Sequence, residues 1–488
     1  MRLLSHAPIL LSAVLLSAGV TAQAQISLQS AVNLALKNSP KVRIAQADYE
    51  KAQASRSELR DAYVPVVSTQ AGYGNATGAP LNVPVVFSIS AQSLVFSFSQ
   101  RDYIRSATEA VRAAELILHN AQVEVVEDTT NTYLALDYGV ERQKVMRESI
   151  GYADRLVAVT TDRIAVGVDA KVELPKSRRT ATQIRLAALQ VEDDIAANRE
   201  HLARLTGLPA QSIETDRASV PEVHLGGTNS GTGMDDGPDS DGIKAAFATA
   251  RSKQYVAFGD HRYLFRPQIA LGANYSRVAT SLSSYAAYYP RYAGTPEKPN
   301  SENALSFGLQ FNIPLLDMAH RQKARGSAAE AARAFADADL QRGVFREGRA
   351  KLRNSARELD LRSQLARDDR EIAVDQLETL QLQMQAEAGS LQGQQVTPKE
   401  QLNAQLQERQ KFLDVLAADL QLRQTQVNLL RQTDDLGNWL LSPNPGNRTL
   451  TPSVAPGTGI NPAGIPGASP SGPVPNTLPS APSAIPRP

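Results

Sequence analysis

The sequence predicts a mainly α-helical protein with a small β part, in which long coiled-coil helical hairpins carry four short strands. Three observations lead to this fold class. Four segments alternate apolar with small or polar residues, long segments carry apolar residues at coiled-coil spacing, and the order of elements occurs twice along the chain. We therefore expect two internal repeats, each built as helix, strand, strand, long helix, turn and returning helix.

The strands are the most distinctive elements, and the clearest of them is LSFGLQFNI. Its apolar residues are Leu305, Phe307, Leu309, Phe311 and Ile313. The four strands are expected at about 64–75, 85–98, 266–278 and 303–314. Their lengths are close to the roughly 9 to 11 residues that a tilted strand needs to cross a bilayer. One face suits lipid and the other suits water. We therefore interpret them as transmembrane strands, with the five apolar residues facing lipid.

Four such strands cannot form a membrane barrel on their own. Backbone groups in hydrocarbon must all be hydrogen-bonded, so a membrane sheet has to close on itself. The smallest useful barrel has about eight strands. Several copies of the chain must therefore contribute strands to one barrel.

The long helical segments run from about residue 100 to 165 and from about residue 319 to 388. At a rise of about 1.5 Å per residue, each helix would be roughly 100 Å long. Steps of 3 and 4 residues separate the apolar residues Val111, Ala114, Leu118, Ala121 and Val125. Such narrow seams need partner helices. We therefore expect two helical hairpins, with their turns, or tips, at about 165–175 and 387–398.

Composition marks the borders of these repeats. Arg2, an apolar stretch and a small-x-small site ending at Ala24 predict a signal peptide and export. Gly, Ser and Asp dominate the middle of the chain, and Pro, Gly, Ser and Ala dominate its end, where we expect disorder. The predicted divisions are a signal peptide (1–24), a first repeat (25–225), a linker (226–242), a second repeat (243–442) and a Pro-rich tail (443–488).

Composition also excludes several functions. Without cysteine there is no disulfide framework, thiolate metal site or Cys nucleophile. A formal net charge of +1 argues against a nucleic-acid partner. The six His residues show no metal-binding spacing, and no nucleophile elbow, P-loop or dinucleotide fingerprint occurs. The sequence therefore predicts a protein that is not an enzyme and that binds no cofactor, metal or nucleic acid.

Taken in order, these elements resemble the TolC family of outer-membrane efflux proteins. ISLQSAVNLALKNSPKVRIAQADYEKAQA (26–54) is similar to the N-terminal helix of the family. LARLTGLP (202–209) is similar to the end of its first repeat, and FNIPLLDMAHRQKAR (311–325) to its strand-to-helix junction. The resemblance implies a homotrimer in which four strands from each copy form one twelve-stranded outer-membrane barrel, continued by a helical tunnel through the periplasm.

The resemblance also implies a function and partners. The trimer would be the passive exit duct of a tripartite efflux or type I secretion system, exporting small molecules or other solutes. It would contact outer-membrane lipid, a periplasmic adaptor protein and an inner-membrane pump. The alternative is a periplasmic structural coiled-coil protein without channel activity, whose strands pair in a soluble sheet.

In the family, Gly turns at both tips lie where the adaptor docks. Val166, Gly167 and Val168 stand where many members have Val-Gly-Leu, and Gly389 lies in the second tip. The resemblance therefore implies adaptor docking at these four residues. A purely structural interpretation stays open beside it, because Gly167 also permits the chain reversal.

Acidic residues near the tips are candidate pore-constriction charges, because charged rings can set ion selectivity in a pore. They are Asp169, Glu173, Glu387 and Glu400. Some relatives narrow the tunnel with aspartate rings on the second hairpin, but no Asp lies between Glu387 and Gln401 here. A solvated helix face explains the four acids equally well, and both interpretations stay open.

Overall fold

A computed structural model gives the fold of residues 25–72, 85–222, 238–278, 303–387 and 397–441. The predicted signal peptide, most of the linker, Gly389 and the Pro-rich tail lie outside these described residues. The helices are α1 (Leu28–Asn38), α2 (Pro40–Asp61), α3 (Phe98–Ala165), α4 (Glu173–Thr206), α5 (Asp241–Tyr263), α6 (Met318–Glu387), α7 (Pro398–Gln432) and α8 (Leu436–Leu441). The strands are β1 (Gln25–Ile26), β2 (Val66–Ala71), β3 (Val85–Ser97), β4 (Glu214–Thr215), β5 (Gln268–Val278) and β6 (Asn303–Asn312).

Two very long helices dominate the fold, as the sequence predicts. Helix α3 has 68 residues and α6 has 70, so each is roughly 100 Å long at 1.5 Å per residue. Helix α3 begins where the Ser97 hydroxyl accepts a hydrogen bond from the Gln100 N–H at 3.3 Å. Helix α7 begins with Pro398 in its first turn, a position where the missing N–H of proline costs nothing.

The long helices are parts of two hairpins that pack side by side. Helix α3 packs against α4, and α6 packs against α7; the two hairpins meet where α3 contacts α7. Apolar residues that the spacing singles out are buried along α3, including Val111 and Val125, and Val191 of α4 is also buried. In α6 the seam is built largely from Ala, such as Ala331 and Ala338. The prediction of a mainly helical, coiled-coil-rich fold is confirmed.

The main hydrophobic core lies midway along α3. Tyr133, Leu134 and Leu136 of α3 pack there with Leu202 of α4 and Trp439 of α8. The Tyr133 side chain is fully buried. Its hydroxyl donates a hydrogen bond to the Ile26 carbonyl and accepts one from the Asp216 N–H, both at 2.7 Å. Because β1 and β4 form a short parallel pair, this hydroxyl fixes both strands to α3.

Strands β2, β3, β5 and β6 form one antiparallel sheet in that order. Strand β3 leads directly into α3, and β6 leads through a short segment into α6. The sheet therefore sits at one end of the long helices. No helix in the described part of the chain is both long and apolar enough to span a membrane.

Candidate functional site

One face of the four-stranded sheet is apolar across neighbouring strands. In the pairing register, Leu305 of β6 lies opposite Tyr275 of β5, and Tyr275 lies opposite Ile89 of β3. Phe307 lies in the same way opposite Ala273. Since successive side chains of a strand point to opposite faces, these apolar side chains share one face.

The five apolar residues that the sequence assigns to lipid are all exposed in the single chain, from 48 % for Ile313 to 81 % for Phe307. Four of them lie on β6, and Ile313 follows its last residue. Apolar patches of this extent on a protein surface mark contact with a membrane or another protein. The apolar face of the sheet therefore requires surroundings other than water.

The opposite face of the sheet is polar but carries no charge on the described strands. Ser90 of β3 lies opposite Asn274 of β5, which lies opposite Ser306 of β6. The hydroxyls of Ser68 and Ser90 are 2.7 Å apart and form a hydrogen bond between β2 and β3. This face is suited to water, so the two faces of the sheet suit different environments, one apolar and one aqueous.

Both border strands of this sheet have one free edge within the described part of the chain. Strand β2 pairs only with β3, and β6 pairs only with β5. A free edge presents a row of unpaired N–H and C=O groups, which are costly in an apolar environment. Pairing with further strands would satisfy these groups.

The first tip reverses the chain between α3 and α4 through a glycine. Gly167 has a φ of +78°, a conformation that side-chain-bearing residues rarely adopt. The Val168 N–H donates to the Arg163 carbonyl at 2.9 Å, which closes the end of α3 in the usual manner of a glycine-terminated helix. Val166 and Val168 flank the glycine and are 74 % and 61 % exposed. The turn therefore presents two valine side chains to solvent.

Two of the predicted acids hold a lysine from the other hairpin. The Lys399 ammonium, at the start of α7, donates to Glu173 Oε2 at 2.8 Å and lies 3.4 Å from Asp169 Oδ2. Arg163 binds Asp169 through two nitrogens at 3.2 and 3.1 Å, and Lys176 binds Glu173 at 2.8 Å. We call Asp169, Glu173 and Lys399 the tip clamp, because they join the two hairpins near the first tip.

All three groups of the tip clamp favour their charged forms. Hydrogen bonds from Arg163 and then from Lys399 lower the pKa of Asp169. Hydrogen bonds from Lys176 and Lys399 lower the pKa of Glu173. The same contacts to Glu173 and Asp169 raise the pKa of Lys399. The clamp is therefore fully ionised at neutral pH.

The other two predicted acids are placed differently. The Glu400 carboxylate accepts a hydrogen bond from the Thr397 N–H at 2.8 Å, and the Thr397 hydroxyl accepts one from the Glu400 N–H at 3.4 Å. This reciprocal pair is a capping box, which stabilises the start of α7. Glu387 is the last residue of α6, and Gly389 lies outside the described residues.

Lys399 was not among the tip residues predicted from the sequence, which were the glycines, the valines and the acids of the tips. The sequence did contain a local signal for the position of Lys399. Thr397 and Glu400 have the spacing of a capping box and predict a helix start, which places Lys399 in the first turn of α7. Elsewhere among the described residues, no group of three or more Cys, His, Asp or Glu side chains is placed to hold a metal ion.

Comparisons with known proteins agree with this architecture. The sequence profile of the family described as outer membrane efflux protein matches residues 31–208. The fold is similar to the outer-membrane channel OprN, with a TM-score of 0.64 and 18 % identity over 85 % of this chain and 90 % of that one. No curated protein sequence matches the chain.

Two further channels have similar structures. For the outer membrane protein VceC of Vibrio cholerae, the TM-score is 0.62 and the identity 17 %, covering 85 % of this chain and 95 % of that one. For the open state of the MtrE outer membrane channel of Neisseria gonorrhoeae, the TM-score is 0.65 and the identity 13 %, covering 84 % of this chain and 89 % of that one. At these identities, the similarity establishes the shared fold.

Proposed function

We propose that the chain forms a homotrimeric outer-membrane channel, because residues 31–208 match the model of the outer membrane efflux protein family. This match confirms the resemblance drawn from the sequence. The proposed channel is the passive exit duct of a tripartite efflux or type I secretion system and extends from the outer membrane into the periplasm. Small molecules or other solutes would cross it in water, without any chemical step.

The four-stranded sheet is the main observation that supports this proposal. It has one apolar face, one uncharged polar face, and two free edges in the described part of the chain. Lipid suits the apolar face and a water-filled interior suits the polar face. Pairing β6 of one copy with β2 of the next satisfies the free edges, because a barrel has none. Three copies with four strands each supply twelve strands, enough for an aqueous interior.

The long hairpins support the same assembly. Within one chain the hairpins meet through α3 and α7, which leaves α4 and α6 as the outer helices. Leu186 and Leu189 of α4 are more than half exposed, as are Leu361 and Leu365 of α6. Packing α4 of one copy against α6 of the next would cover these leucines. The helices would then enclose a tunnel roughly 100 Å long beneath the barrel.

The first tip supports docking of a periplasmic adaptor protein, and through it an inner-membrane pump. Val166 and Val168 offer exposed apolar contacts on a turn that Gly167 fixes. Gly389 is proposed as the matching position of the second tip on sequence grounds alone. Of the candidate constriction charges, Asp169 and Glu173 act through Lys399, so we propose that the tip clamp holds the hairpins in a closed arrangement. Glu387 and Glu400 remain proposed pore charges.

Membrane fractionation and conductance test the channel. The protein is expected to need detergent for extraction, to migrate as a trimer, and to produce stepwise conductance in a planar lipid bilayer. A protein released by salt washing that runs as a soluble monomer would instead support the periplasmic structural protein. Conductance by itself establishes the pore and leaves the adaptor untested.

Adaptor docking needs its own experiment. We propose replacing Val166 and Val168 together by serine and measuring in-cell crosslinking to the adaptor and resistance to exported compounds. Both substitutions lie on exposed side chains, so the trimer should form normally. Ile117→Ser is the matched control, because Ile117 is an exposed apolar residue of α3, the helix before the turn, and is 48 % exposed and roughly 70 Å from the tip. If the adaptor docks at the first tip, the double variant should lose crosslinking and resistance, and the control should keep both.

A further inference from the structure

The end of the sheet nearest the helices combines aromatic rings with cations. Phe96 of β3 lies opposite Ile269 on the apolar face. Its ring contacts the Phe98 ring edge to face at 4.8 Å. The Arg266 guanidinium lies 4.8 Å from the centre of the Phe98 ring, and Arg266 is exposed. A positive charge therefore stands at the lower border of the apolar face.

A second aromatic residue and cation occur at the base of the neighbouring strand. Tyr63 lies just before β2, and the Leu94 N–H of β3 donates to the Ala62 carbonyl at 2.9 Å, which places Tyr63 beside the end of β3. Arg101 lies in the first turn of α3, three residues after Phe98, and its side chain is exposed. The basal rim, as we call this border, comprises Tyr63, Phe96, Phe98, Arg101 and Arg266.

Large apolar side chains project beside the basal rim. Phe265, immediately before Arg266, is 71 % exposed and has a φ of +59°. Leu316, four residues beyond the end of β6, is 85 % exposed. A bulky residue with positive φ is a backbone outlier, and such strain is typical of functional positions. Because Gln268 pairs with Asn312, the start of β5 and the end of β6 lie at the same end of the sheet, and both side chains lie just beyond that end.

The rim arginines, Arg101 and Arg266, form no ion pair within the described part of the chain, whereas the nearby Arg262 does. Arg262 donates to both carboxylate oxygens of the buried Asp102 at 2.8 and 2.7 Å. Arg101 and Arg266 contact no carboxylate among the described residues. Arginine binds phosphate oxygens well, because its planar guanidinium presents several donors. The rim thus offers unused phosphate-binding groups next to apolar side chains.

We propose that the basal rim binds glycerophospholipids of the inner leaflet of the outer membrane. Arg101 and Arg266 contact the lipid phosphates, while Phe265 and Leu316 enter the boundary between headgroups and acyl chains. Continuity with the apolar face favours a lipid, and the two cations favour an anionic headgroup. Aromatic and basic side chains anchor membrane proteins at this depth. The proposal rests on the proposed function, since it presupposes that the sheet lies in the outer membrane.

Spin labels can measure the depth of the rim, because the chain has no native cysteine. Single variants Leu309→Cys, Phe265→Cys, Leu316→Cys and Val166→Cys are labelled and reconstituted into phosphatidylethanolamine–phosphatidylglycerol vesicles. Collisions with oxygen and with a water-soluble nickel complex report depth. We expect a label at Leu309 in acyl chains, labels at Phe265 and Leu316 near the headgroups, and a label at Val166 in water.

The outcomes separate the two proposals. If the Leu309 label is in lipid but the Phe265 and Leu316 labels have the nickel accessibility of the Val166 label, the rim proposal fails and the channel stands. If the Leu309 label is also in water, the sheet is not in the membrane and both proposals fail.

Lipid retention tests the cations. Arg266→Gln should weaken binding of phosphatidylglycerol to the detergent-solubilised protein about fivefold, as expected for one basic residue at a membrane surface. Arg333→Gln is the control, because Arg333 is an exposed residue of α6 far from the sheet. Native mass spectrometry counts the retained lipids. Unchanged retention in Arg266→Gln, or displacement of the lipid by millimolar glycerol phosphate, would overturn the assignment to a membrane lipid.

Discussion

The approach of α5 to α3 beneath the sheet depends on one glycine. A Cβ atom at Gly259 of α5 would lie 2.6 Å from Cε1 of Tyr103 and 2.9 Å from its Cδ1. The ring cannot easily move away, because the Tyr103 hydroxyl donates to Asp260 at 2.7 Å. Asp260 is itself fully buried and bound to Lys323 of α6 at 3.0 Å. Gly259→Ala should therefore push apart helices that support the sheet.

The expected loss of stability in Gly259→Ala follows from comparison with a second glycine, Gly151. Gly→Ala inside a helix normally stabilises by about 1 kcal/mol, and Gly151 of α3 has no atom within 4 Å of an added Cβ. Overpacking a tight contact costs about 1–3 kcal/mol. The helix-propensity gain is common to both variants, so Gly259→Ala should be less stable than Gly151→Ala by about 1–3 kcal/mol.

Circular dichroism at 222 nm, measured during heating of the detergent-solubilised protein, compares the two variants. Gly151→Ala should unfold at or above the temperature of the parent, and Gly259→Ala below it. In a Tyr103→Ala background, which lacks the ring, Gly259→Ala should no longer lower the unfolding temperature, since contacting residues are energetically coupled. Equal shifts of both glycine variants in the same direction would refute the steric argument.

Three further predictions concern the tip clamp and the core. Lys399→Gln should raise single-channel conductance, because it removes the cation that joins the hairpins; Lys176→Gln, which leaves that contact intact, should not. The two clamp carboxylates have lowered pKa values, so their contribution is present above the ordinary carboxyl pKa and is lost as pH falls through the lower folded value. The raised pKa of Lys399 means that its own contribution is lost only in strongly alkaline solution. Single-channel conductance should therefore be constant between about pH 5 and 9 and should rise below about pH 4. A rise near neutral pH would contradict the proposal that the tip clamp holds the channel closed. Tyr133→Phe should lower the free energy of unfolding by about 1–3 kcal/mol, because buried backbone groups lose their partner. Tyr138→Phe, at another buried tyrosine of α3, is its control in the same thermal assay and should change little.

Features with a regular period could be predicted from the sequence. The alternation from Leu305 to Ile313 predicts which residues share a face, and the pairing of β6 with β5 keeps that alternation. The spacing of apolar residues predicts helices of roughly 100 Å, and α3 and α6 have that length. Gly167 predicts a chain reversal, and its positive φ provides one. Each of these is a property of neighbouring residues.

The tip clamp could not be predicted in the same way. Lys399 and Asp169 are 230 residues apart, and their contact depends on how the second hairpin docks on the first. The pair between Arg262 and the buried Asp102 spans 160 residues and depends on α5 lying against α3. The capping box of Glu400, in contrast, is a local feature that the segment TPKE (397–400) predicts. The sequence equally allowed Glu400 to be a pore charge.

The free sheet edge and the exposed helix faces point to the same neighbour. Strand β6 runs into α6 within a few residues, so the border strand and one outer helix are consecutive along the chain. The exposed apolar residues of β6 and the exposed leucines of α6 therefore belong to two consecutive elements of the chain. A partner that covered only the helices would leave the strand edge unpaired in lipid, which membrane sheets do not tolerate. In the proposed trimer, a second copy of the chain, offering β2 and α4 together, would satisfy both requirements at once.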